Sequence, residues 1–228
     1  MVTGSYAKGS ADEDSDLDLR AATSGPVRVS YRMWAEARAG RPLHVSAGAK
    51  RIEEWIEARS RPAAWALGFP AVYDARYLWA TDAARELLGD PANRHPPAPP
   101  ELEDFVEHTV KVRRAARLGD GAGARWYAQA GAVLAPGLLR SLNPERVVLD
   151  RRDALEAALT LPVVPDRYRD RMLVCLGVAP APDAQVVEAM VGLARSLLVF
   201  LRERNPDVDP QPEIGLCLAD GTLERWLE

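Results

Sequence analysis

The sequence predicts an α+β fold, with a small mixed β-sheet domain over residues 1–91 and a helical bundle over residues 100–228. Short β-like runs set among Gly and Ser fill the first part of the chain, which is typical of a sheet with tight turns. Apolar residues recur at helical spacing from about residue 101 onward. Between the two parts, Pro91–Pro100 is too rich in proline to form a helix or a central strand, and it is typical of a stiff linker. The domain boundary is therefore expected in this linker.

The individual elements follow from local patterns. In the first domain, β-like runs predict three strands, at Leu17–Leu19, Val27–Tyr31 and Leu43–Val45. The spacing of apolar residues predicts a helix at Ile52–Ala58, and Asp74 is expected to cap a second helix that ends at Gly89. In the second domain the same spacing predicts five helices, at Glu101–Leu118, Arg125–Leu142, Arg151–Leu161, Asp166–Leu176 and Ala184–Arg204. Helices joined by short Gly or Pro punctuation indicate a bundle.

Composition and charge exclude several classes of protein. With 47% apolar and 27% charged residues, the 228-residue chain is expected to be globular and soluble. The net charge of −4 leaves no basic surface for a phosphate backbone, which argues against a nucleic-acid partner. Two cysteines, Cys175 and Cys217, are too few for a disulfide framework or a thiolate zinc site, and they indicate a reducing cytosol. No apolar run reaches the roughly 20 residues of a bilayer span, and the acidic N-terminus lacks the apolar core of a signal peptide, so a cytoplasmic protein without a membrane partner is expected.

The segment most informative about function begins at Gly4-Ser5, which is followed after ten residues by Asp16-Leu17-Asp18-Leu19. Side chains two apart on a strand lie on one face, so Asp16 and Asp18 are expected to project together, about 6.6 Å apart along the backbone. Such a pair suits two divalent cations, which lie about 3.5–4 Å apart in phosphoryl-transfer sites. Gly4 would let the backbone approach a phosphate, and Ser5 with the amides after it would bind the phosphate oxygens. Oxygen ligands beside a phosphate favour magnesium over zinc.

The same segment has a plainer interpretation. Gly4-Ser5 could simply open a turn, and Asp12–Asp18 could be a solvated acidic loop, because acidic loops are common on protein surfaces. This alternative does not account for the Gly-Ser pair, the spacing and two carboxylates in a Leu-alternating strand occurring together. The functional interpretation is therefore preferred.

The pattern resembles the nucleotidyltransferase superfamily that includes DNA polymerase beta, in which Gly-Ser or Gly-Gly precedes Asp-hydrophobic-Asp-hydrophobic by about ten residues. The rest of the chain is similar to the aminoglycoside (kanamycin) nucleotidyltransferases, which consist of a small mixed sheet followed by a helical bundle. The similar features are a strand before a helix near Ile52, the segment Pro70–Asp74, and Glu107 with Lys111 on one helix.

Glu107 and Lys111 are four residues apart on a predicted helix, so they share one face. The resemblance implies that Glu107 takes a proton from the acceptor hydroxyl and that Lys111 contacts the nucleotide phosphates. These roles need a group within hydrogen-bond reach of the hydroxyl and a cation where charge accumulates. On spacing alone, the alternative is a surface ion pair worth a few tenths of a kcal/mol.

Two features depart from the family pattern. Only three residues precede Gly4, so either the protein begins upstream of Met1 or the sheet closes differently. The family's third carboxylate is expected at the position of His44 or Ser46, and Glu36 could supply one only if the hairpin register shifted. Because imidazole favours softer metals than magnesium, His44 is expected to be a modified site feature or an ordinary polar strand residue.

The remaining candidates are interpreted as structural or solvent-facing residues. His95 lies among prolines and His108 points off a different helix face from Glu107, so neither is expected to join His44 in a ligand cluster. Asp12–Asp14 are expected to be solvated or to attract a cationic acceptor. The tryptophans are expected to be core or interface anchors, with stacking on a base as the alternative.

The resemblance as a whole implies a Mg²⁺-dependent enzyme that transfers a nucleoside monophosphate from an NTP, with ATP as the expected donor, and releases pyrophosphate. The acceptor would be a hydroxyl of a small molecule such as an aminoglycoside antibiotic. The resemblance also implies that Glu107 completes a cleft between the two domains and that the protein is a homodimer. Two alternatives stay open. One is a degenerate module that binds an NTP or a partner without turnover. The other is a nucleotidyltransferase whose acceptor is a protein, a tRNA end or a nucleotide, although the acidic balance argues against RNA.

Overall fold

The computed structural model describes residues 1–28, 30–38, 40–60, 75–88, 101–144, 151–204, 217–218, 220–225 and 227. These residues form two compact units, one of the described residues up to 88 and the other of those from 101 onward. The predicted linker at Pro91–Pro100 falls outside the described residues. The domain limits at residues 91 and 100 therefore stay predictions.

The first unit is built, within its described residues, on a five-stranded mixed sheet. Its strands are β1 (Val2–Thr3), β2 (Leu17–Thr23), β3 (Tyr31–Arg38), β4 (Arg41–Arg51) and β5 (Ala75–Arg76). They lie in the order β3-β4-β2-β1-β5, with β2 parallel to β4 and the other neighbours antiparallel. The β3–β4 hairpin thus returns the chain so that β4 lies directly beside β2.

Three helices of this unit are described: α1 (Ser5–Lys8), α2 (Ile52–Ser60) and α3 (Asp82–Leu88). Helix α2 follows β4 without a loop, and its Trp55 is buried. The Trp55 indole Nε1 donates a hydrogen bond of 3.3 Å to the carbonyl of Ala21 in β2. Trp55 therefore ties α2 to the sheet, as expected for a tryptophan that serves as a core anchor.

Two of the three predicted strands are confirmed, and both extend further than the sequence indicated. The strand predicted at Val27–Tyr31 is wrong in position, because β3 begins only at Tyr31. Residues 24–28 form bends and irregular chain instead. Pro26 provides the physical reason, since it lacks a backbone N–H and cannot donate to a sheet ladder.

The prediction for the next helix is also corrected. Ala75 and Arg76 pair with β1, so the chain is still extended where the sequence predicted the helix to begin. Helix α3 starts at Asp82, and Thr81 Oγ1 caps it by accepting a hydrogen bond of 3.2 Å from the Ala84 amide. Asp74, the predicted cap, lies outside the described residues.

The second unit consists, in its described part, of helices and their connecting turns. They are α4 (Leu102–Arg117), α5 (Gly121–Leu138), a 3₁₀ turn (Arg140–Leu142), α6 (Arg151–Leu159), α7 (Tyr168–Cys175), α8 (Asp183–Arg204) and α9 (Thr222–Arg225). Helices α4, α5 and α8 pack against one another, and α7 packs on α8. All five predicted helices are present, so the α+β class with a helical C-terminal region is confirmed. Helix α5 begins earlier than expected because Asp120 caps it, with Oδ1 accepting from the Gly123 amide at 2.8 Å.

Helix α8 forms the centre of the second unit. The sequence indicated no apolar run of membrane-spanning length, yet α8 is long and apolar enough to cross a membrane by length and composition alone. Eight of its residues lie in the buried core: Val186, Ala189, Met190, Leu193, Ala194, Leu197, Leu198 and Leu201. This burial accounts for the apolar character of α8 as a core helix.

Candidate functional site

Gly4 forms the turn at which β1 ends and α1 begins. Its φ of 70° and ψ of −151° lie in a backbone region that is essentially restricted to glycine. The Gly4 carbonyl accepts hydrogen bonds from the amides of Ala7 (3.0 Å) and Lys8 (3.2 Å), which closes the single turn that Ser5 opens. A Cβ on Gly4 would lie 3.4 Å from Asp18 Oδ2, so this backbone runs directly against the Asp18 carboxylate.

The two predicted metal ligands lie at the start of β2. Asp18 is the second residue of β2 and is paired with Thr3 on one side and Ser46 on the other. Asp16 precedes the strand, and its side chain is 58% exposed. His44 Nδ1 lies 3.9 Å from Asp16 Oδ2. The pairing of β2 with β4 therefore sets His44 beside Asp16 and Ser46 beside Asp18.

The Asp18 carboxylate has two resident partners. The Ser46 hydroxyl, which is buried, donates a short hydrogen bond to Asp18 Oδ1. Arg20 Nη2 contacts the same oxygen at 3.2 Å, while Arg20 Nη1 donates to Ser46 Oγ at 3.1 Å and to the Leu19 carbonyl at 2.9 Å. Asp18 Oδ1 is thus fully engaged within the protein, and Oδ2 is the oxygen that faces Gly4.

Of the two residues expected at the third-carboxylate position, Ser46 pairs with Asp18 and His44 lies beside Asp16. Glu36 does not supply that carboxylate, because β3 pairs Glu36 with Leu43. Its side chain therefore lies on the opposite face of the sheet from His44. The Glu36 carboxylate instead accepts a hydrogen bond of 2.9 Å from the Trp34 indole. The register shift that would have been needed is absent.

A divalent cation would find two carboxylates here rather than three. No group of three or more His, Cys, Asp or Glu side chains suited to a metal occurs among the described residues. Asp16 and Asp18 Oδ2 nevertheless offer hard oxygen ligands at one end of β2, where Asp18 Oδ2 faces the backbone of Gly4. This donor set fits magnesium with part of its coordination shell completed by phosphate or water.

The remainder of the acidic loop is accounted for by its own structure. Asp12 Oδ1 accepts hydrogen bonds from the Ser15 hydroxyl at 2.8 Å and from the Asp14 amide at 3.1 Å. Both hydrogen bonds lower the pKa of the exposed Asp12 carboxyl, the one from Ser15 more than the one from the Asp14 amide. Glu13 pairs with Arg41 at 2.5 Å. These groups are solvated loop residues, in agreement with one of the two interpretations of Asp12–Asp14.

Glu107 and Lys111 lie on one face of α4 in the second unit. Lys111 Nζ is 2.9 Å from Glu107 Oε1 and 5.7 Å from the ring centroid of Tyr127 in α5. The His108 ring lies 6.1 Å from the same tyrosine ring. His108 Nδ1 is buried, without a hydrogen-bond partner in the described part of the chain, and the half-buried His108 side chain packs between α4 and α5.

Several features named from the sequence cannot be placed. His95, Trp65, Trp226 and the segment Pro70–Asp74 lie wholly or largely outside the described residues. The other tryptophans divide into buried Trp55 and three exposed ones, Trp34, Trp79 and Trp126.

Sequence reasoning missed two residues that contact the candidate groups, Arg20 and Tyr127. Arg20 stands two positions after Asp18, so strand alternation alone would have predicted that both side chains project from the same face. Tyr127 is on a different helix from Lys111, and only the packing of α5 on α4 brings the two together.

Comparison with known proteins bears on the second unit. A search of the curated proteins finds no match. Residues 101–203, from the start of α4 almost to the end of α8, match the family described as nucleotidyltransferase, substrate binding domain. This range contains Glu107 and Lys111. Residues 101–203 are thus similar to nucleotidyltransferase substrate-binding domains, which supports the nucleotidyltransferase family to which the sequence pointed.

Proposed function

We propose that this protein is a Mg²⁺-dependent nucleotidyltransferase that moves a nucleoside monophosphate from an NTP, ATP being the expected donor, to a hydroxyl of a small molecule. The observation that carries the proposal is the Asp18 carboxylate held against the glycine-restricted turn at Gly4, with Asp16 at the same end of β2. Family similarity over residues 101–203 supports nucleotidyl transfer in general.

In this proposal the first unit binds the nucleotide. Gly4 allows close approach of the phosphates and Ser5 donates to their oxygens. Asp16 and Asp18 Oδ2 hold magnesium, which supplies positive charge to the transferred phosphate and to the pyrophosphate that leaves. Asp18 is oriented for this task by Ser46, because a ligand carboxylate that is itself hydrogen-bonded is held in one rotamer.

In the second unit, Glu107 takes the proton of the acceptor hydroxyl and Lys111 offsets the negative charge that develops on the phosphate. The 2.9 Å pair supports this division of labour, since it places a proton acceptor and a cation side by side on one face of α4. Both side chains are accessible, with 54% of Glu107 and 37% of Lys111 exposed.

An aminoglycoside is the proposed acceptor class, and antibiotic resistance the corresponding role. The acceptor class rests on the resemblance to the aminoglycoside enzymes, because Asp12 and Glu13 already have partners within the protein. The resemblance to the aminoglycoside enzymes is also the basis for proposing a cytoplasmic homodimer.

The direct test incubates the protein with MgCl₂, each of the four NTPs and a mixture of aminoglycosides, followed by mass spectrometry. A product heavier by one nucleoside monophosphate is the expected result. If aminoglycosides stay unmodified while the protein itself or an added protein gains that mass, the acceptor is a protein.

A non-catalytic NTP-binding module is the second candidate function. Two observations favour it: Arg20 and Ser46 engage Asp18 Oδ1, and the described residues contain no group of three or more His, Cys, Asp or Glu suited to a metal. Nucleotide binding without pyrophosphate release under any acceptor condition would support this candidate over the enzyme.

A further inference from the structure

We propose that Arg20 is a resident cation of the nucleotide site, that it binds a phosphate oxygen of the NTP, and that the site therefore takes one divalent cation per chain rather than two. This inference rests on the proposed function and says which groups carry the positive charge in that same site.

Arg20 is fixed in place from several sides. Its guanidinium donates to Leu19, Ser46 and Asp18, as described above, and lies 6.0 Å from the ring centroid of Tyr31. The aliphatic part of Arg20 crosses Gly48, where an added Cβ would lie 3.4 Å from Arg20 Cδ. A guanidinium held in this way loses little conformational entropy when it binds a further anion.

Arg20 also has N–H groups that these contacts do not use. The hydrogen bonds to Leu19 and Ser46 use both hydrogens of Nη1, and Asp18 uses one of Nη2. Within the described residues, the N–H of Nε and the second N–H of Nη2 have no acceptor. Two neighbouring N–H groups of a planar guanidinium match the oxygens of a phosphate, and a quarter of the side chain is open to solvent.

The charges of the site support a single divalent cation. Asp16 and Asp18 supply two negative charges and Arg20 one positive charge, which leaves one net negative charge before a nucleotide binds. Ser46, which faces Asp18 where a carboxylate could have stood, is neutral and occupies Asp18 Oδ1. Two divalent cations 3.5–4 Å apart, the approximate separation in two-metal sites, would have to share Asp16 and one oxygen of Asp18.

The experiment uses the full chain with Mn²⁺ and a non-hydrolysable ATP analogue, α,β-methylene-ATP. Equilibrium dialysis gives Mn²⁺ bound per chain, and a titration gives the Kd of the analogue. Arg20→Met removes the guanidinium and Arg20→Lys keeps only its charge. Arg32→Met is the matched control, because Arg32 is an exposed arginine of the same sheet that alternation places on the opposite face.

We expect wild type and Arg32→Met to bind one Mn²⁺ per bound analogue with equal Kd. Arg20→Met should raise the Kd of the analogue about tenfold or more. Arg20→Lys should recover only part of that lost affinity, because an ammonium lacks the planar fork of a guanidinium. If circular dichroism shows that Arg20→Met is unfolded, the Kd of the analogue for Arg20→Lys decides whether Arg20 binds a phosphate oxygen.

Two Mn²⁺ per wild-type chain, or an unchanged Kd in the Arg20 variants, overturns the assignment while leaving the proposed function intact. Wild type that does not bind the analogue contradicts the proposed function itself.

Discussion

Lys111 Nζ lies between Glu107 Oε1, at 2.9 Å, and the face of Tyr127, at 5.7 Å from the ring centroid. The ion pair is local to α4, whereas the aromatic contact comes from α5. An exposed pair one helical turn apart contributes little to stability, typically a few tenths of a kcal/mol. A functional role for Glu107 can therefore be separated from a structural one by comparing turnover with nucleotide binding in the same variant.

Glu107→Gln should lower kcat about 100-fold or more, because the amide keeps the shape of the side chain but cannot accept the acceptor's proton. The Kd for NTP should change by less than about twofold, since base catalysis does not bind the nucleotide. Steady-state kinetics and a nucleotide titration measure the two effects. Glu103→Gln, one turn earlier on the exposed face of α4, is the control and should be unchanged. Parallel losses in rate and nucleotide binding would show that Glu107 is structural.

Gly4→Ala should destabilise the protein by about 1–3 kcal/mol, because alanine cannot adopt the φ of 70° and ψ of −151° without strain. Nucleotide affinity should fall as well, since the new Cβ would lie against Asp18 Oδ2. Urea denaturation monitored by circular dichroism measures the loss. Gly25→Ala is the control, because no atom lies within 4 Å of a Cβ there and the backbone is not in the left-handed region. Equal stability of the two variants would contradict the assigned role of the turn.

The sequence predicted the relationships that depend on local geometry. Helical spacing places Glu107 beside Lys111, and the structure has them in contact. Pro26, which lies within the irregular stretch after β2, was visible in the sequence as well, and it was a reason to place the start of the next strand later than Val27.

The partners of Asp18 were harder to predict, for two different reasons. Ser46 is 28 residues away and meets Asp18 only because β2 and β4 pair in one particular parallel register. A shift of that register by one residue would have brought a side chain of the other face of β4 to Asp18. Arg20 needed no long-range information, but an arginine directly after an acidic strand motif is easily taken for a surface residue.

His44→Glu should lower the Mg²⁺ concentration for half-maximal rate by about tenfold, because it adds a hard oxygen ligand and a negative charge close to Asp16. His44→Gln, which removes the imidazole without adding charge, serves as the control and should keep the wild-type requirement. Initial rates over a Mg²⁺ titration measure the difference. An unchanged Mg²⁺ requirement in the glutamate variant would mean that position 44 does not face the metal.

The two cysteines should react with iodoacetamide at very different rates. Burial raises the pKa of the Cys175 thiol to about 12, so only about one thiol in ten thousand is ionised at pH 8. Cys217 is only half-buried. Peptide mapping by mass spectrometry should show early labelling of Cys217 alone, and labelling of both residues in urea. Rapid alkylation of Cys175 in the native protein would contradict the packing of α7 in the core.

The central claim, nucleotidyl transfer at Asp16 and Asp18, is tested most directly by acceptor-dependent release of pyrophosphate from NTP and Mg²⁺. Wild type should release pyrophosphate in proportion to modified acceptor, and Asp16→Asn and Asp18→Asn should each lose this activity because a metal-bound charge is removed. Asp16→Asn is the cleaner variant, because Asp16 is exposed and the variant protein should unfold at the same urea concentration as wild type. Asp18→Asn also breaks the contact with Arg20. Release of pyrophosphate at the wild-type rate by folded Asp16→Asn would contradict the account, as would its absence in wild type with every NTP and acceptor class.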